Sequence, residues 1–449
     1  MVPASARSNG SSPTRRWWRR DLGGVSSVGA AVDPFYDKVL ADPSLSAYFV
    51  GTDVAHLKAQ EAAAAAIGWE AARHEAYGAA QPLPPRRLSL RQAAGLVLAE
   101  DLAAEAPMPA FDTAAMDGYA VSEPGPFRLR GEALAGRPWA GELLPGEAVR
   151  ISTGAVVPPG ATGVLRVENA CREGTSVHGP PVSPGGDVRR AGEDATVGSV
   201  LVKAGSAVNP AVLGLAASGG RDDLVVRPAP RVHLLVTGDE LVESGLAPRG
   251  MVRDALGPML PALVAGFGGK VVAVERVPDA PPRGLSAAMD RGAAGSDVLV
   301  VTGSTSVGHT DRLRLELRRR AARLVVDSVA CRPGHPQLLA AVADRALVIG
   351  LPGNPFAAFV AAHILLRPLV AALAGRAFAP LATGRVVGDI KLPPVGVVRL
   401  VPVASDGTSW VALGRDRTGF LGGAAAAEAL AAIGPAWTAG ARCSLLRLT

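Results

Sequence analysis

The sequence predicts an α/β multidomain protein: a doubly wound, mostly parallel sheet domain accompanied by small β-rich domains. Three observations carry this expectation. Residues 231–372 alternate strand-like apolar runs (232–236, 270–274, 297–301 and 346–349) with apolar helical stretches, the pattern of βαβ units. Residues 107–200 hold short β-type runs, such as 148–151 and 163–167, cut by Gly and Pro turns. Residues 380–449 return to short strands at 384–392, 397–403, 409–414 and 443–448. A chain of 449 residues is long enough for about three domains, and its 53 Gly and 37 Pro spend much of it on turns.

Taken in order, residues 1–22 are rich in Ser, Arg, Pro and Gly without an apolar period, which predicts a disordered basic tail. Residues 67–106 and 201–228 are expected to form a helical linker domain. It includes a helix over 69–76 and an amphipathic helix over 88–101 opened by Ser89. Residues 107–200 form the small β domain, 229–375 the α/β domain and 380–449 a C-terminal β domain.

Charge and composition exclude several functions. The formal net charge is +6, but Arg7, Arg15, Arg16, Arg19 and Arg20 precede the first acid, Asp21, and the rest of the chain is close to neutral. A nucleic-acid footprint across a folded face is therefore not expected. The longest apolar stretch, 356–366, contains His363 and stops at Arg367-Pro368, short of a membrane span. No h-region follows the paired arginines, so no signal peptide is expected. Cys171, Cys331 and Cys443 are far apart with no CxxC, which points to a reducing compartment without zinc or disulfides. A cytoplasmic protein is the expectation.

In an open α/β sheet, ligands bind beyond the carboxyl ends of the strands. Three such ends carry polar, glycine-rich loops: Thr237-Gly238-Asp239-Glu240, Thr302 through Gly308 (with Gly303, Ser304 and Ser306), and Gly350-Leu351-Pro352-Gly353-Asn354-Pro355. Glycine admits close backbone approach, and N–H groups at a following helix start cradle phosphate. Together the loops predict an anion-binding crevice. Asp311 follows the second loop, with a helix N-cap as its alternative role. Asp239 and Glu240 have the alternative of being solvated turn carboxylates. Acids beside a phosphate cradle call for a cation, and Mg²⁺ is the economical one.

Upstream stand Pro109-Ala110-Phe111-Asp112-Thr113-Ala114-Ala115-Met116-Asp117-Gly118-Tyr119-Ala120, Arg150 through Gly160, and Arg189-Arg190-Ala191-Gly192-Glu193-Asp194. Propensity explains none of these strings. With Thr-Gly-Asp-Glu-Leu and Leu-Pro-Gly-Asn-Pro in the same order, they resemble the molybdopterin molybdenumtransferase family over about residues 67–449. The resemblance implies an elongated homodimer acting on adenylated molybdopterin and molybdate. It further implies Mg²⁺-dependent insertion of the metal at the dithiolene sulfurs, with release of AMP. By motif match the catalytic residues are Asp117, Thr153, Glu193, Asp279 and Asp311, with Glu193 and Asp311 on the metal. The substrate positions are Thr237, Asp239, Glu240, Asp254, Gly303, Ser304, Ser306, Gly308, Arg332, His335, Pro352, Gly353 and Asn354.

Departures from the family pattern fall on binding positions. Ser304 replaces a glycine, and Arg332-Pro333-Gly334-His335-Pro336 stands for a loop with two lysines. Ala255-Leu256 follows Asp254 where two hydrogen-bonding groups are usual, and Thr162 stands where an acid is common. An unperturbed histidine is mostly neutral at pH 7, so a weaker anion contact is expected at His335. A non-catalytic or altered-specificity relative that binds pterin or nucleotide is the alternative reading.

Residues 23–66 are set apart. Asp33-Pro34-Phe35-Tyr36-Asp37-Lys38-Val39-Leu40, Leu45 through Phe49 and Leu57-Lys58 resemble the opening helices of a truncated haemoglobin. The proximal histidine that this family requires is missing, since Gln81-Pro82-Leu83-Pro84-Pro85 stands in that region. No haem is expected, only a fusion scar or an over-extended start. An oxygen or nitric oxide sensor built on this segment would need a Soret band.

Overall fold

The computed structural model describes residues 66–279, 283–303, 312–342, 347–414 and 417–448. The expected basic tail and nearly all of the globin-like fragment lie outside these residues. The chain divides into two compact units, one of Pro85–Arg227 and one of Pro228–Thr449 together with the segment before Pro85.

The larger unit is built on a six-stranded sheet in the order Lys270–Val277, Arg231–Thr237, Val298–Thr302, Leu347–Leu351, Leu338–Ala341, Arg323–Val326. The first four strands are parallel. The last two run antiparallel to their neighbours. This adds a two-strand edge that the sequence does not announce, because Leu338-Leu339-Ala340-Ala341 is a short apolar run without alternation.

Period-2 geometry splits the central strands between two cores. Leu234, Val298, Val300 and Ile349 face one core with the helices Leu256–Gly266 and Trp69–Gly78 and the long helix Pro355–Leu373. Leu235, Leu299, Val301 and Val348 face the other, with Leu285 and Met289 of Arg283–Gly295 and Leu313 and Leu317 of Arg312–Arg319. Near-continuous apolar strands are what a sheet covered on both faces requires. The apolar helix Pro355–Leu373 reaches the length of a membrane span, but 83% of its most apolar window is buried inside the fold. It is the core helix of this unit.

The helix Trp69–Gly78 joins this unit rather than residues 86–106. Trp69, Ala72 and Ala76 are buried in the first core, and Arg73 donates to the Ala379 carbonyl at 3.1 Å. The C-terminal strands Ala382–Val387, Val398–Ser405, Trp410–Ala412, Ala429–Ile433 and Arg442–Arg447 close into a ring. They have a core of their own around Val386, Val403, Ile433 and Leu445. Leu400, Leu430 and Leu446, however, belong to the α/β core. The short strand Cys331–Arg332 pairs with Val398–Ser405, so the loop after it is held by both sheets.

The smaller unit holds a six-stranded sheet in the order Gly163–Arg166, Gly118–Val121, Glu147–Ile151, Phe127–Ala133, Ser176–His178, Cys171–Glu173, cored on both faces. It also holds a three-stranded sheet of Arg86–Ser89, Asp223–Arg227 and Val97–Leu98. There the expected helix over 88–101 is overturned. Ser89 ends a strand, only Leu90–Ala93 is helical, and Ser89 Oγ meets Gln92 Oε1 at 3.0 Å instead of capping a backbone N–H. Pairing of 86–89 and 97–98 with the two ends of 223–227 buries Leu98, Leu224 and Val226 in one core. That tertiary gain outweighs the helical period of the isolated segment. The helix Pro210–Ser218 starts as expected for its sequence, with Asn209 Oδ1 accepting from Val212 N–H at 2.9 Å and Pro at the first position.

Candidate functional site

The carboxyl ends of three parallel strands are sewn together by short bonds. Thr237 Oγ1, at the end of 231–237, donates to the Thr302 carbonyl of the neighbouring strand. The next residue, Gly303, donates its N–H to Leu351 O at 3.1 Å. Its φ is +80°, and a Cβ there would lie 3.0 Å from both Thr237 O and Oγ1. A side chain at Gly353 would come 3.5 Å from Gly303 Cα. Gly303 is therefore required by its backbone angle and by the close approach of the 231–237 strand end, whereas the contact at Gly353 is an ordinary one. Pro352 is buried, whereas Gly353 and Asn354 are exposed. Asn354 opens the helix Pro355–Ala361 with its side chain uncommitted to a cap.

Asp239 and Asp279 lock the end of 231–237 reciprocally to that of its other neighbour, 270–277. Asp239 Oδ1 accepts from Asp279 N–H at 2.9 Å, and Asp279 Oδ2 accepts from Asp239 N–H at 3.3 Å. Glu240 is exposed beside them. Asp254, an expected substrate position, is tied into the fold. It is 6% exposed, and Oδ1 accepts from both Leu256 and Gly257 N–H at 2.9 Å. Its Oδ2 accepts from Arg276 at 2.7 Å, and Arg276 also pairs with Glu243. Asp254 thus caps the helix Leu256–Gly266 in place of the missing hydroxyl or amide at Ala255, and both its oxygens are committed.

The Arg332–Pro336 loop is internally closed. Val329 N–H donates to His335 O at 3.1 Å, and His335 Nδ1 donates back to Val329 O at 2.8 Å. Beneath it lies Gln337, fully buried, whose Nε2 donates to Gly334 O at 2.7 Å and approaches Cys331 Sγ at 3.5 Å. A side chain at Gly334 would sit 3.2 Å from the Ala357 carbonyl, so the loop lies against the helix that Asn354 opens. Burial pushes the Cys331 thiol up to about 12, which makes it a packing group. Arg332 stays exposed.

In the smaller unit, Asp117 Oδ1 accepts from Thr153 N–H at 2.7 Å and Thr153 Oγ1 at 3.0 Å. Those bonds, the backbone one first, hold its carboxyl below the usual range, so it is ionised at neutral pH. Glu193 Oε2 accepts from Arg190 N–H at 2.9 Å. Arg190 is pinned to Asp112 at 2.5 Å, and Asp112 also accepts from Ala191 N–H at 2.9 Å. Asp117 and Thr153 are therefore brought together, while Glu193 belongs to the 189–194 loop. Ser304, Ser306, Gly308 and Asp311 lie outside the described residues. Among the described residues no group of three His, Cys, Asp or Glu is gathered for a metal.

Gln337 escaped the sequence reading, and Thr302 entered it only as the start of a loop. Thr302 and Gln337 are 1% and 0% exposed, and Thr302 Oγ1 and Gln337 Oε1 have no partner among the described residues. Buried polar atoms left unpaired are costly and concentrate at working sites. Nothing in composition or spacing signals them, since both depend on burial.

Glycine loops gather at the strand carboxyl ends of a doubly wound sheet, the edge at which such folds bind ligands. Comparison makes the class specific. Residues 64–220 match the MoeA N-terminal region (domain I and II), and residues 233–372 match a probable molybdopterin binding domain. The molybdopterin molybdenumtransferase of Synechococcus elongatus is 33% identical over 315 residues, covering 67% of this chain and 78% of that protein. Molybdopterin molybdenumtransferase 2 of Mycobacterium tuberculosis is 36% identical over 302 residues, covering 63% and 74%. The fold matches the molybdopterin biosynthesis moeA protein of Pyrococcus horikoshii, with TM-score 0.71 and 22% identity over 85% of this chain and 99% of that one. The chain belongs to the molybdopterin molybdenumtransferase family.

Proposed function

We propose that the chain inserts molybdate into adenylated molybdopterin in a Mg²⁺-dependent step that releases AMP, as a cytoplasmic homodimer. The observation that carries this reading is the convergence of Thr237, Gly303 and Gly353 at one sheet edge, in a family of molybdenumtransferases. In this reading the backbone N–H groups of Gly353 and Asn354 hold phosphate oxygens, since that of Gly303 is taken by Leu351 O. Arg332 supplies fixed charge and His335 a second contact to an oxyanion. Asn354 orients the ligand from the helix start.

The donor chemistry fits Mg²⁺. Glu193 and Asp311 are the proposed ligands, and Glu193 Oε1 has no partner among the described residues, its Oε2 being taken by Arg190 N–H. Mg²⁺ takes one or two carboxylates and completes its shell with phosphates and water. When bound it supplies positive charge at the phosphoanhydride oxygens. Asp117 is held ionised by Thr153, and Asp279 is held against Asp239, so each carboxylate is pre-oriented within its own unit. No protein nucleophile is required, because the dithiolene sulfurs of the substrate are the ligands of the incoming molybdenum.

The test is AMP release from adenylated molybdopterin with Mg²⁺ and molybdate, against a metal-free control. Molybdate-dependent release is expected. Tight binding without release would favour the second reading, a binding-only relative, which the altered Arg332–Pro336 loop supports. A companion variant separates chemistry from folding. Asp117→Asn should lower turnover on the order of a hundredfold and leave the melting temperature nearly unchanged, since Asp117 is exposed. Equal loss of both would reduce Asp117 to a turn-stabilising residue.

A further inference from the structure

We infer that His335 captures oxyanions only as the imidazolium, so that anion binding at the Arg332–Pro336 loop is coupled to uptake of a proton. The inference rests on the proposed molybdate site and adds to it the form in which that site works. A carbonyl oxygen only accepts, so the 2.8 Å contact between His335 Nδ1 and Val329 O places a hydrogen on Nδ1. The reverse bond from Val329 N–H to His335 O fixes the same residue a second time. Gln337, fully buried and donating to Gly334 O, holds the turn from beneath.

The ring is therefore committed to one tautomer. Its neutral form carries a bare lone pair at Nε2, which repels an oxyanion. Nε2 has no partner among the described residues and is the only ring nitrogen left for a ligand. Protonation converts that same atom into a charged N–H donor. One N–H···O contact to the anion is gained for each proton taken from solvent, and no covalent bond changes.

Charged groups lie on several of the elements packed against the loop. Arg332 lies on the loop itself and Arg399 on the strand paired with it. Asp327, before the loop, is held by Arg314. Glu70 follows Ile67, which bridges to Val329, and accepts from Ser444 Oγ at 3.3 Å. The helix Pro355–Ala361 contributes no charged side chain. A lysine in this place would remain charged throughout the neutral range, and the histidine makes the same contact conditional.

Calorimetry of molybdate binding to the full chain, in two buffers of different ionisation heat between pH 6.5 and 8, reads the coupling directly. Uptake approaching one proton per molybdate is expected at the alkaline end, with affinity falling toward tenfold per pH unit. His335→Lys should bind with little pH dependence and no uptake, and His335→Gln weakly and without uptake. Absence of uptake in the native chain, uptake that survives in His335→Gln, or no saturable molybdate binding at any of these pH values would overturn the inference. The tautomer is read separately from ring-nitrogen NMR, the His335 signals being assigned by their loss in His335→Gln. A neutral ring with its hydrogen on Nε2 also overturns it. Neither measurement uses adenylated molybdopterin, so failure here leaves AMP release standing, and failure of AMP release leaves this result intact.

Discussion

Gly118→Ala should destabilise the Pro85–Arg227 unit by about 3 kcal/mol or more, lowering its melting temperature by about 10 °C. Gly118 lies in an inner strand of the six-stranded sheet, opposite Arg166 on one side and Ile151 on the other. A Cβ there would stand 2.1 Å from Leu165 O and 2.9 Å from Leu165 C. Both are backbone atoms of a paired strand, so relief requires moving the strand. Asp117 precedes it, and its carbonyl accepts from Val167 N–H at 3.1 Å, so displacement also disturbs the carboxylate held by Thr153. Turnover and stability should fall together. Gly214→Ala is the matched control, because nothing lies within 4 Å of that position on the helix Pro210–Ser218. There alanine should be neutral or stabilise by roughly 0.5–1 kcal/mol. Thermal unfolding followed by circular dichroism separates the two, and equal melting temperatures would contradict the steric argument.

The same residue shows what the sequence made legible. Met116-Asp117-Gly118-Tyr119 stands out as a string without a propensity rationale, and the reason is steric and non-local: Leu165 is 47 residues away in the chain. The alternating strands and helices of 231–372 were readable because the cores on both sheet faces demand continuous apolar runs. The strands 323–326 and 338–341 were not, being short elements, the first at the sheet edge and the second beside it, whose pairing depends on neighbours. At the site, Gly238 and Gly303 announced themselves, since their left-handed backbone angles admit little else. Asp254 has commitments that no motif announces. Its position suggested a ligand contact, but with Ala255 and Leu256 following it, its carboxylate serves the helix start and Arg276. Burial decided that case, and burial is not a property of a motif.

His363→Leu should make the larger unit less sensitive to acid, with the native chain losing on the order of 3 kcal/mol as pH falls from about 6.5 to about 4. His363 is 1% exposed, in the π-helical turn Ala362–Leu366 of the long core helix. Its ring packs 4.5 Å from Phe359 and 5.0 Å from Phe267, centroid to centroid. Burial pushes its pKa down from 6.5 to about 4, and the nearby Arg367 adds to this against the opposing bond to Phe359 O. The unfolded chain therefore binds the proton that the folded chain refuses. Stability is full above pH 6.5, falls as the pH drops toward 4, and levels off below it. Nε2 also lacks a partner among the described residues, so leucine removes an unpaired polar atom and should cost little at neutral pH. The consequence reaches the site, because this helix begins at Pro355, next to Gly353 and Asn354, and carries the Ala357 carbonyl against which the Arg332–Pro336 loop lies. Acid that loosens the helix should loosen both loops. Melting temperatures of the native chain and His363→Leu at pH 7.5 and pH 5 provide the check. A pH dependence unchanged by the substitution would mean that other groups carry the acid response.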